Sequence, residues 1–405
     1  MADLNPEAIG GSSITWDILK KDFQAVFNST AKIGPNRRWQ RIGEGNGCIS
    51  EIFLATFDWQ GDSVGLPEKA CIKITNSNRL AAIGSSPGVN LDDAVENARA
   101  ANDNELYFFE NARDKWRYPA ELRIPKFYCG RKLGVDGLDA GYFAIEHFND
   151  VVTRHLYHEI QESAILDVLE QLSIVNGHSI RYPELYAEIT GDNHKTMMAE
   201  FLTFEALSKI LDAVAEEFPD IKEELEELRA VTKMFESWEG YQEKVFAACH
   251  HHRIFIHGDL WLGNMLWRKE ENGDYTMVSL IDWQVSRIGN PHEDIVRLLA
   301  CAQTTEDYDK KKTAQLHYYY DKLREYSGDA PFPWKDFQDF MDTYEHSYVH
   351  MTCKFTPMLL NLRKMLMSNL AEGPAKVAYE ASVTSKLKHM VTESSRLIRK
   401  WNLTA

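Results

Sequence analysis

Two aspartates and an asparagine stand within short apolar segments of the chain. Asp259 and Asn264 lie in IHGDLWLGNMLW, and Asp282 lies in LIDWQVSRIGNPHED. A buried carboxylate is costly unless it is paired, hydrogen-bonded or bound to a metal ion. An aspartate, an asparagine five residues later and a second aspartate after a hairpin form the layout that phosphoryl transfer uses. In that chemistry Asp259 accepts the proton of an acceptor hydroxyl, while Asn264 and Asp282 hold Mg²⁺ on ATP.

Two other interpretations of these residues stay open. Asp, Asn and Gly favour turns between strands, so any small sheet could show a similar pattern. His257, Asp259 and Asp282 could instead be the ligands of a metal-dependent hydrolase. The spacing of Asp259 and Asn264, followed by an aspartate at the end of a strand, favours kinase chemistry over both.

Three short strands are predicted to position these residues. HHRIFIHGDL indicates an apolar strand that ends before Asp259, NMLW indicates a second strand after Asn264, and YTMVSLIDW indicates a third that ends at Asp282. We expect the three strands to form one small sheet with the three side chains at the same end.

The chain as a whole is predicted to form two lobes. The early segments with strand, helix and hairpin patterns are the strands 50–59 and 69–75, the helix 91–113 and the hairpin pair 123–133 and 137–148. Later segments show mostly helical spacing of apolar residues. We therefore predict an α+β fold with a small antiparallel-sheet N-lobe (1–148) and a large, mainly helical C-lobe (149–405).

Composition argues against several classes of partner. The chain has 45 Lys and Arg against 61 Asp and Glu, a net charge of −16, so a broad basic face for nucleic acid is not expected. No apolar run approaches the roughly 20 residues of a membrane helix, and the N-terminus lacks a signal-peptide pattern. The six cysteines are scattered without a CxxC pair, as is typical of reduced thiols. We expect a cytoplasmic protein without membrane, nucleic-acid or obligate protein partners.

The segments HGDLWLGNMLW and IDWQVSRIGNPHEDIVRLL resemble the choline-kinase-like branch of the protein-kinase-like superfamily. The resemblance is sharpest over residues 254–300. It is strongest to the ecdysteroid-kinase-like (CHK) proteins of insects and nematodes and more distant to aminoglycoside phosphotransferases. It implies a bilobal protein-kinase-like fold that phosphorylates a hydroxyl group of a small molecule with ATP and Mg²⁺. A steroid-like or xenobiotic acceptor is favoured.

The same resemblance implies roles for individual residues of the C-lobe. Asp259 would be the catalytic base, and Asn264 and Asp282 the Mg²⁺ ligands. Asp294 matches an acidic residue that braces the catalytic loop in such kinases.

The N-lobe is expected to bind the nucleotide. Lys73, on the strand ACIKIT, would contact the α- and β-phosphates. Its expected partner is Glu105 in NELYFFEN, although Glu96 and Glu110 lie on the same predicted helix and remain alternatives.

Two further parts of the N-lobe are candidates for nucleotide contacts. Gly45 and Gly47, in RIGEGNGCISEIF, could bring backbone N–H groups near the phosphates, although a glycine turn before a strand is common. The hinge that would hold adenine through backbone groups is expected at Ile145 and His147.

Departures from the protein-kinase pattern point to a small acceptor. Glycine does not follow Asp282–Trp283, and only residues 283–293 separate Asp282 from Asp294, too few for an activation segment that binds peptides. Two alternatives remain. The chain could be a nucleotide-binding pseudokinase that acts as a scaffold, or a choline or aminoglycoside kinase, whose cationic acceptors would suit an acidic chain with many tryptophans.

Overall fold

The chain forms two compact units in the computed structural model, which describes residues 7–43, 50–76, 91–189, 203–233 and 237–403. The first unit comprises Met1–Arg117, Ile124–Asp150 and Ile281–Val285, and the second comprises Tyr118–Arg123, Val151–Leu280 and Ser286–Ala405. The chain thus returns to the first unit for a short stretch around Asp282. Within the described ranges, no helix has the length and hydrophobicity needed to cross a membrane.

The described strands of the first unit are β1 (Lys32–Ile33), β2 (Arg38–Ile42), β3 (Ser50–Thr56), β4 (Trp59–Gln60), β5 (Lys69–Asn76), β6 (Phe127–Arg131) and β7 (Ala140–Ile145). Five of these strands form one antiparallel sheet in the order β2-β3-β5-β7-β6. The helices of this unit are α1 (Trp16–Phe27) and α2 (Leu91–Ala112). Strands β1 and β4 pair separately as a two-stranded sheet.

Strand β5 shows how the sequence assigns the two faces of this sheet. Ala70, Ile72 and Ile74 are buried in one hydrophobic cluster together with Leu19 and Phe23 of α1. Since successive side chains of a strand point to opposite faces, Lys73 projects from the other face. The alternation therefore presents a lysine on the face of the sheet that α1 does not cover.

The predicted elements of the first unit are observed. The strands expected at 50–59 and 69–75 are β3 and β5, and the helix expected over 91–113 is α2. The predicted hairpin consists of β6 and β7, which pair antiparallel. The α+β class is confirmed, with a small antiparallel sheet in one unit and mainly helices in the other.

The second unit is mainly helical. In chain order its elements are α3 (Glu162–Arg181), α4 (Phe204–Glu217), α5 (Lys222–Thr232), α6 (Trp238–Ala247), β8 (Ile254–Ile256), β9 (Met265–Lys269), β10 (Tyr275–Leu280), β11 (Arg287–Gly289), α7 (His292–Cys301), α8 (Thr305–Ser327), α9 (Phe337–Asn369) and α10 (Pro374–Trp401). All residues of α7 are buried, including Glu293, Asp294 and Arg297. A helix that carries charges inside a core needs partners for them, and these partners form part of the candidate site.

The expectation that the three strands around Asp259, Asn264 and Asp282 form one small sheet is wrong. Strand β8 pairs with β11, whereas β9 pairs with β10, so the described strands here form two separate two-stranded sheets. The physical reason is length. The strands β8 and β11 contain three residues each, and such short segments carry no periodic signal by which a sequence could reveal their pairing.

Candidate active site

Lys73 forms two ion pairs within the first unit. Its Nζ lies 2.5 Å from Oε2 of Glu105, on α2, and 2.8 Å from Oδ1 of Asp282. Burial alone would lower the pKa of Lys73, but the negative charges of Asp282 and Glu105 outweigh burial and raise it. The lysine is therefore a cation at neutral pH, and it joins two carboxylates that are far apart in the sequence.

Glu105 is the glutamate of α2 that contacts Lys73. The two alternatives point elsewhere, since Glu96 pairs with Arg99 at 3.1 Å and Glu110 is exposed. Oε1 of Glu105 accepts a hydrogen bond from the backbone N–H of Trp283 at 3.2 Å. Burial raises the pKa of Glu105 to about 7, against the opposing charge of Lys73. Both carboxylate oxygens of this buried residue are thus occupied.

Helix α2 also holds the segment that follows Asp282. The rings of Phe108 and Trp283 stack with centroids 3.8 Å apart and planes 7° apart. Nδ2 of Asn104 donates to the carbonyl of Gln284 at 3.0 Å. Asp282 itself has a φ of 66°, a left-handed conformation that is uncommon for a residue other than glycine. Sequence reasoning missed Asn104 and Phe108, although both lie within one helical turn of Glu105.

Replacing Lys73 by methionine is expected to reduce the free energy of unfolding by about 3–5 kcal/mol. The reason is that breaking a buried ion pair from one side leaves an uncompensated carboxylate at Glu105. Urea unfolding followed by circular dichroism measures this loss. The matched control is Lys69→Met on the same strand, at the edge of the ladder opposite Thr56, which we expect to cost about 0.5 kcal/mol. Equal losses in the two variants would show that the ion pairs of Lys73 do not stabilise this unit.

In the second unit, the loop between β8 and β9 carries Asp259 and Asn264. Nδ2 of Asn264 donates to Oδ2 of Asp259 at 2.9 Å and to its backbone carbonyl at 2.8 Å. A single 3₁₀ turn, Leu262–Asn264, places Asn264 directly before β9. The two polar side chains predicted for this loop are therefore in direct contact.

Helix α7 fixes the same loop through its first turn. The carboxylate of Asp294 accepts hydrogen bonds from the backbone N–H groups of His257 at 2.8 Å and Gly258 at 2.9 Å. Burial raises the pKa of Asp294 to about 7, although the charge of Arg287 opposes this. The contact matches the bracing role that the family resemblance implies for Asp294. Sequence reasoning missed a second contact, the ion pair between Arg297 of α7 and Asp259.

Of the other residues predicted to contact the nucleotide, the structure describes Ile145 and His147. Gly45 and Gly47 lie outside the described residues. Ile145 is the last residue of β7 and lies opposite Cys71 of β5. Nδ1 of His147 is 3.6 Å from Sγ of Cys71. Ile145 and His147 thus lie beside the strand that carries Lys73.

A metal-dependent hydrolase would need a cluster of side chains that bind the metal ion. Across the ranges that the structure describes, no group of three or more His, Cys, Asp or Glu side chains is arranged to hold a metal ion. Nδ1 of His257 faces the backbone N–H of Asp259 at 3.3 Å.

Comparison with known proteins gives a family. The chain matches the DUF1679 family, described as "Uncharacterized oxidoreductase dhs-27", over residues 7–396. The chain therefore belongs to the DUF1679 family. A Caenorhabditis elegans protein described as "Uncharacterized kinase-like protein D1044.1" is 22% identical over 335 residues, which cover 82% of this chain and 83% of the relative.

Solved structures show a more distant likeness. A mutant aminoglycoside 2'-phosphotransferase-IIIa in complex with GDP is 12% identical and covers 95% of this chain and 99% of its own, with a TM-score of 0.44. A protein from Ralstonia eutropha JMP134, provisionally named as an aminoglycoside phosphotransferase, is 10% identical. The match covers 94% of this chain and 98% of that protein's chain, with a TM-score of 0.43.

The family description and the nematode relative name different activities. Every strand pair among the described residues is antiparallel. Dinucleotide-binding folds of oxidoreductases use mostly parallel strands joined by helices, with the cofactor at the carboxyl ends of the strands. The described residues give no support to a nicotinamide site of that kind.

Proposed function

We propose that this DUF1679 protein is a kinase that transfers the γ-phosphoryl group of ATP to a hydroxyl group of a small molecule, with Mg²⁺ as cofactor. The observation that carries the proposal is the contact of Lys73 with both Glu105 and Asp282. In protein kinases, phosphoryl transfer requires a strand lysine paired with a helix glutamate and an aspartate that binds Mg²⁺. The same three residue types meet here within one unit.

The proposed cofactor fits the chemistry of the available side chains. Oδ1 of Asp282 accepts from Lys73, which leaves Oδ2 for a cation. The amide nitrogen of Asn264 donates to Asp259, so its amide oxygen is the atom offered to a ligand. Carboxylate and amide oxygens are the hard ligands that Mg²⁺ takes, usually with phosphate oxygens and water completing the shell. When bound, Mg²⁺ would neutralise charge on the phosphates.

The reaction assigns a task to each of the other residues. Lys73 would contact the α- and β-phosphates, and Glu105 would hold Lys73 in place. Asp259 would orient the acceptor hydroxyl and accept its proton as the new oxygen–phosphorus bond forms. The bond from the γ-phosphorus to the bridging oxygen breaks, and ADP leaves with the electron pair. Because this chemistry needs little covalent help, most of the rate would come from positioning and charge neutralisation.

The acceptor is proposed to be a small molecule. Residues 283–293 provide too short a connection between Asp282 and Asp294 for a peptide-binding activation segment. The motifs HGDLW and IDWQ favour the ecdysteroid-kinase-like (CHK) branch, so we infer a steroid-like or xenobiotic hydroxyl. An inactive scaffold is not favoured, because the ion pairs of Lys73 retain the partners that catalysis requires.

A direct test is phosphoryl transfer by the purified chain. It would be incubated with ATP, MgCl₂ and hydroxylated compounds that include sterols, xenobiotic alcohols and phenols, choline and aminoglycosides. We expect ADP release that depends on one class of acceptor, with a product that mass spectrometry identifies as its phosphate ester. The matched deoxy compound, which lacks the hydroxyl, should give no ADP. ATP binding without a phosphorylated product from any class would favour the scaffold instead.

A further inference from the structure

A buried arginine contacts the carboxylate of Asp259 within the second unit. The side chain of Arg297 is 3% exposed, and its Nη1 forms an ion pair with Oδ1 of Asp259. The guanidinium carbon lies 4.5 Å from the centre of the Phe355 ring on α9. Oδ2 of Asp259 accepts from Asn264 at 2.9 Å. Each oxygen of this carboxylate therefore has a partner of its own.

Arg297 lies on the same face of α7 as Asp294, which binds the loop that contains Asp259. Arg297 and Asp294 are three residues apart on α7, a spacing that places two side chains on one face of a helix. Asp294 binds the backbone N–H groups of His257 and Gly258, and Arg297 binds the side chain of the next residue. One buried face of α7 thus holds both the backbone and the reacting side chain of this loop.

Arg297 remains charged in this environment and requires an anion. Burial lowers its pKa to about 10, which is still well above neutral pH. Tyr241 and Cys301, which also act on Arg297, do not supply the charge, since burial raises the pKa of Tyr241 and raises that of Cys301 to about 11. Lys354 of α9 is a further basic neighbour. The carboxylate of Asp259 is therefore the anion that compensates this buried cation by direct contact.

We propose that Arg297 is a positioning residue for Asp259, which fixes the carboxylate in the orientation in which it meets the acceptor hydroxyl. The inference rests on the proposed function, because it takes Asp259 as the residue that contacts the acceptor. A guanidinium suits the task because its N–H donors lie in one rigid plane, and the Phe355 ring supports that plane. Without Arg297 the carboxylate can rotate about its side-chain bonds, and a misplacement of about 1 Å can lower a rate about 100-fold.

The kinetic test uses Arg297→Met and Arg297→Lys in the full chain. Arg297→Met should lower kcat about 100-fold, with an unchanged KM for ATP, because Lys73 and Asp282 are untouched. Arg297→Lys keeps the cation and should recover part of the lost kcat. It also provides a variant that keeps the charge balance if the methionine variant folds poorly. An unchanged kcat in folded Arg297→Met would overturn the positioning role.

A second test needs no enzymatic activity and examines the pair itself. Thermal unfolding would be compared for Asp259→Asn, Arg297→Met and the double variant. Asp259→Asn leaves a buried cation without a carboxylate, so removing Arg297 as well should raise the Tm above that of Asp259→Asn. The matched control combines Asp259→Asn with Arg287→Met. Arg287 is similarly buried but pairs with Glu293 at 2.7 Å, so these two Tm shifts should add.

The outcomes separate this inference from the proposed function. Additive Tm shifts for Asp259→Asn and Arg297→Met would overturn the pairing, whatever the kinetics show. A coupled pair together with a low kcat in Arg297→Met supports the positioning role. If the wild-type protein phosphorylates no acceptor, the proposed function is wrong, and the positioning role is wrong with it. This failure is distinguishable from the others because the wild type itself is then inactive.

Discussion

Asp259→Asn is expected to lower kcat by about 1,000-fold and to leave Mg·ATP binding largely intact, since a positioned general base contributes about 10²–10⁴ in rate. An asparagine can still form a hydrogen bond with the acceptor hydroxyl, but it does not accept the proton. The nucleotide would be held by Lys73 and Asp282, which this substitution does not alter. A coupled assay of ADP release measures kcat, and calorimetry with a non-hydrolysable ATP analogue measures binding.

The control for this variant removes a carboxylate outside the proposed site. Asp274 lies in the turn before β10, where it accepts a hydrogen bond from Asn272 at 2.8 Å. Asp274→Asn should retain the wild-type kcat. If Asp259→Asn turned over at the wild-type rate, Asp259 would not be the catalytic base.

Asp282→Asn and Asp282→Ala are expected to remove most of the Mg²⁺-dependent affinity for ATP. Both substitutions delete the carboxylate charge proposed to bind the cation, while Lys73 keeps its contact with Glu105. A ligand at 100 times its Kd stabilises a protein by about 2.7 kcal/mol, and we expect this Mg²⁺-dependent stabilisation to be largely absent from both variants. Calorimetric titration with ATP, in the presence and absence of MgCl₂, measures the effect.

The two substitutions at Asp282 control for each other. The left-handed conformation of this residue, with φ of 66°, suits asparagine better than alanine. Asp282→Asn therefore tests the loss of charge with less backbone strain, and Asp282→Ala tests the loss of the whole ligand. Mg²⁺-dependent binding equal to that of the wild type in both variants would remove Asp282 from the cation site.

Local patterns predicted much of the first unit. The alternation in β5 indicates which residues face the core, and it leaves Lys73 on the opposite face of the sheet. The family resemblance indicates Glu105 as the partner of Lys73, and the two side chains form an ion pair in the structure. The stack of Phe108 on Trp283 joins residues far apart in the sequence, so no local pattern indicates it.

In the second unit, local sequence patterns did not predict the pairing of β8 with β11 or the contact of Arg297 with Asp259. The pairing of β8 with β11 depends on where the chain returns after the Asp282 segment, not on the composition of either three-residue strand. Arg297 lies in EDIVRLLA, and a single arginine in an apolar helix is usually expected at the surface. The sequence signal for its contact with Asp259 is its position three residues after Asp294, which places both side chains on one face of a helix. This signal can be interpreted only when Asp294 is known to bind the loop that contains Asp259.

The most direct test of the central claim is thermal unfolding of the wild-type protein with ATP, with MgCl₂, with both and with neither. We expect a clear rise in Tm only when ATP and Mg²⁺ are present together, and we expect a chelator that removes the cation to abolish this rise. An unchanged Tm at millimolar ATP with Mg²⁺ would contradict the assignment of this protein as an ATP-dependent kinase.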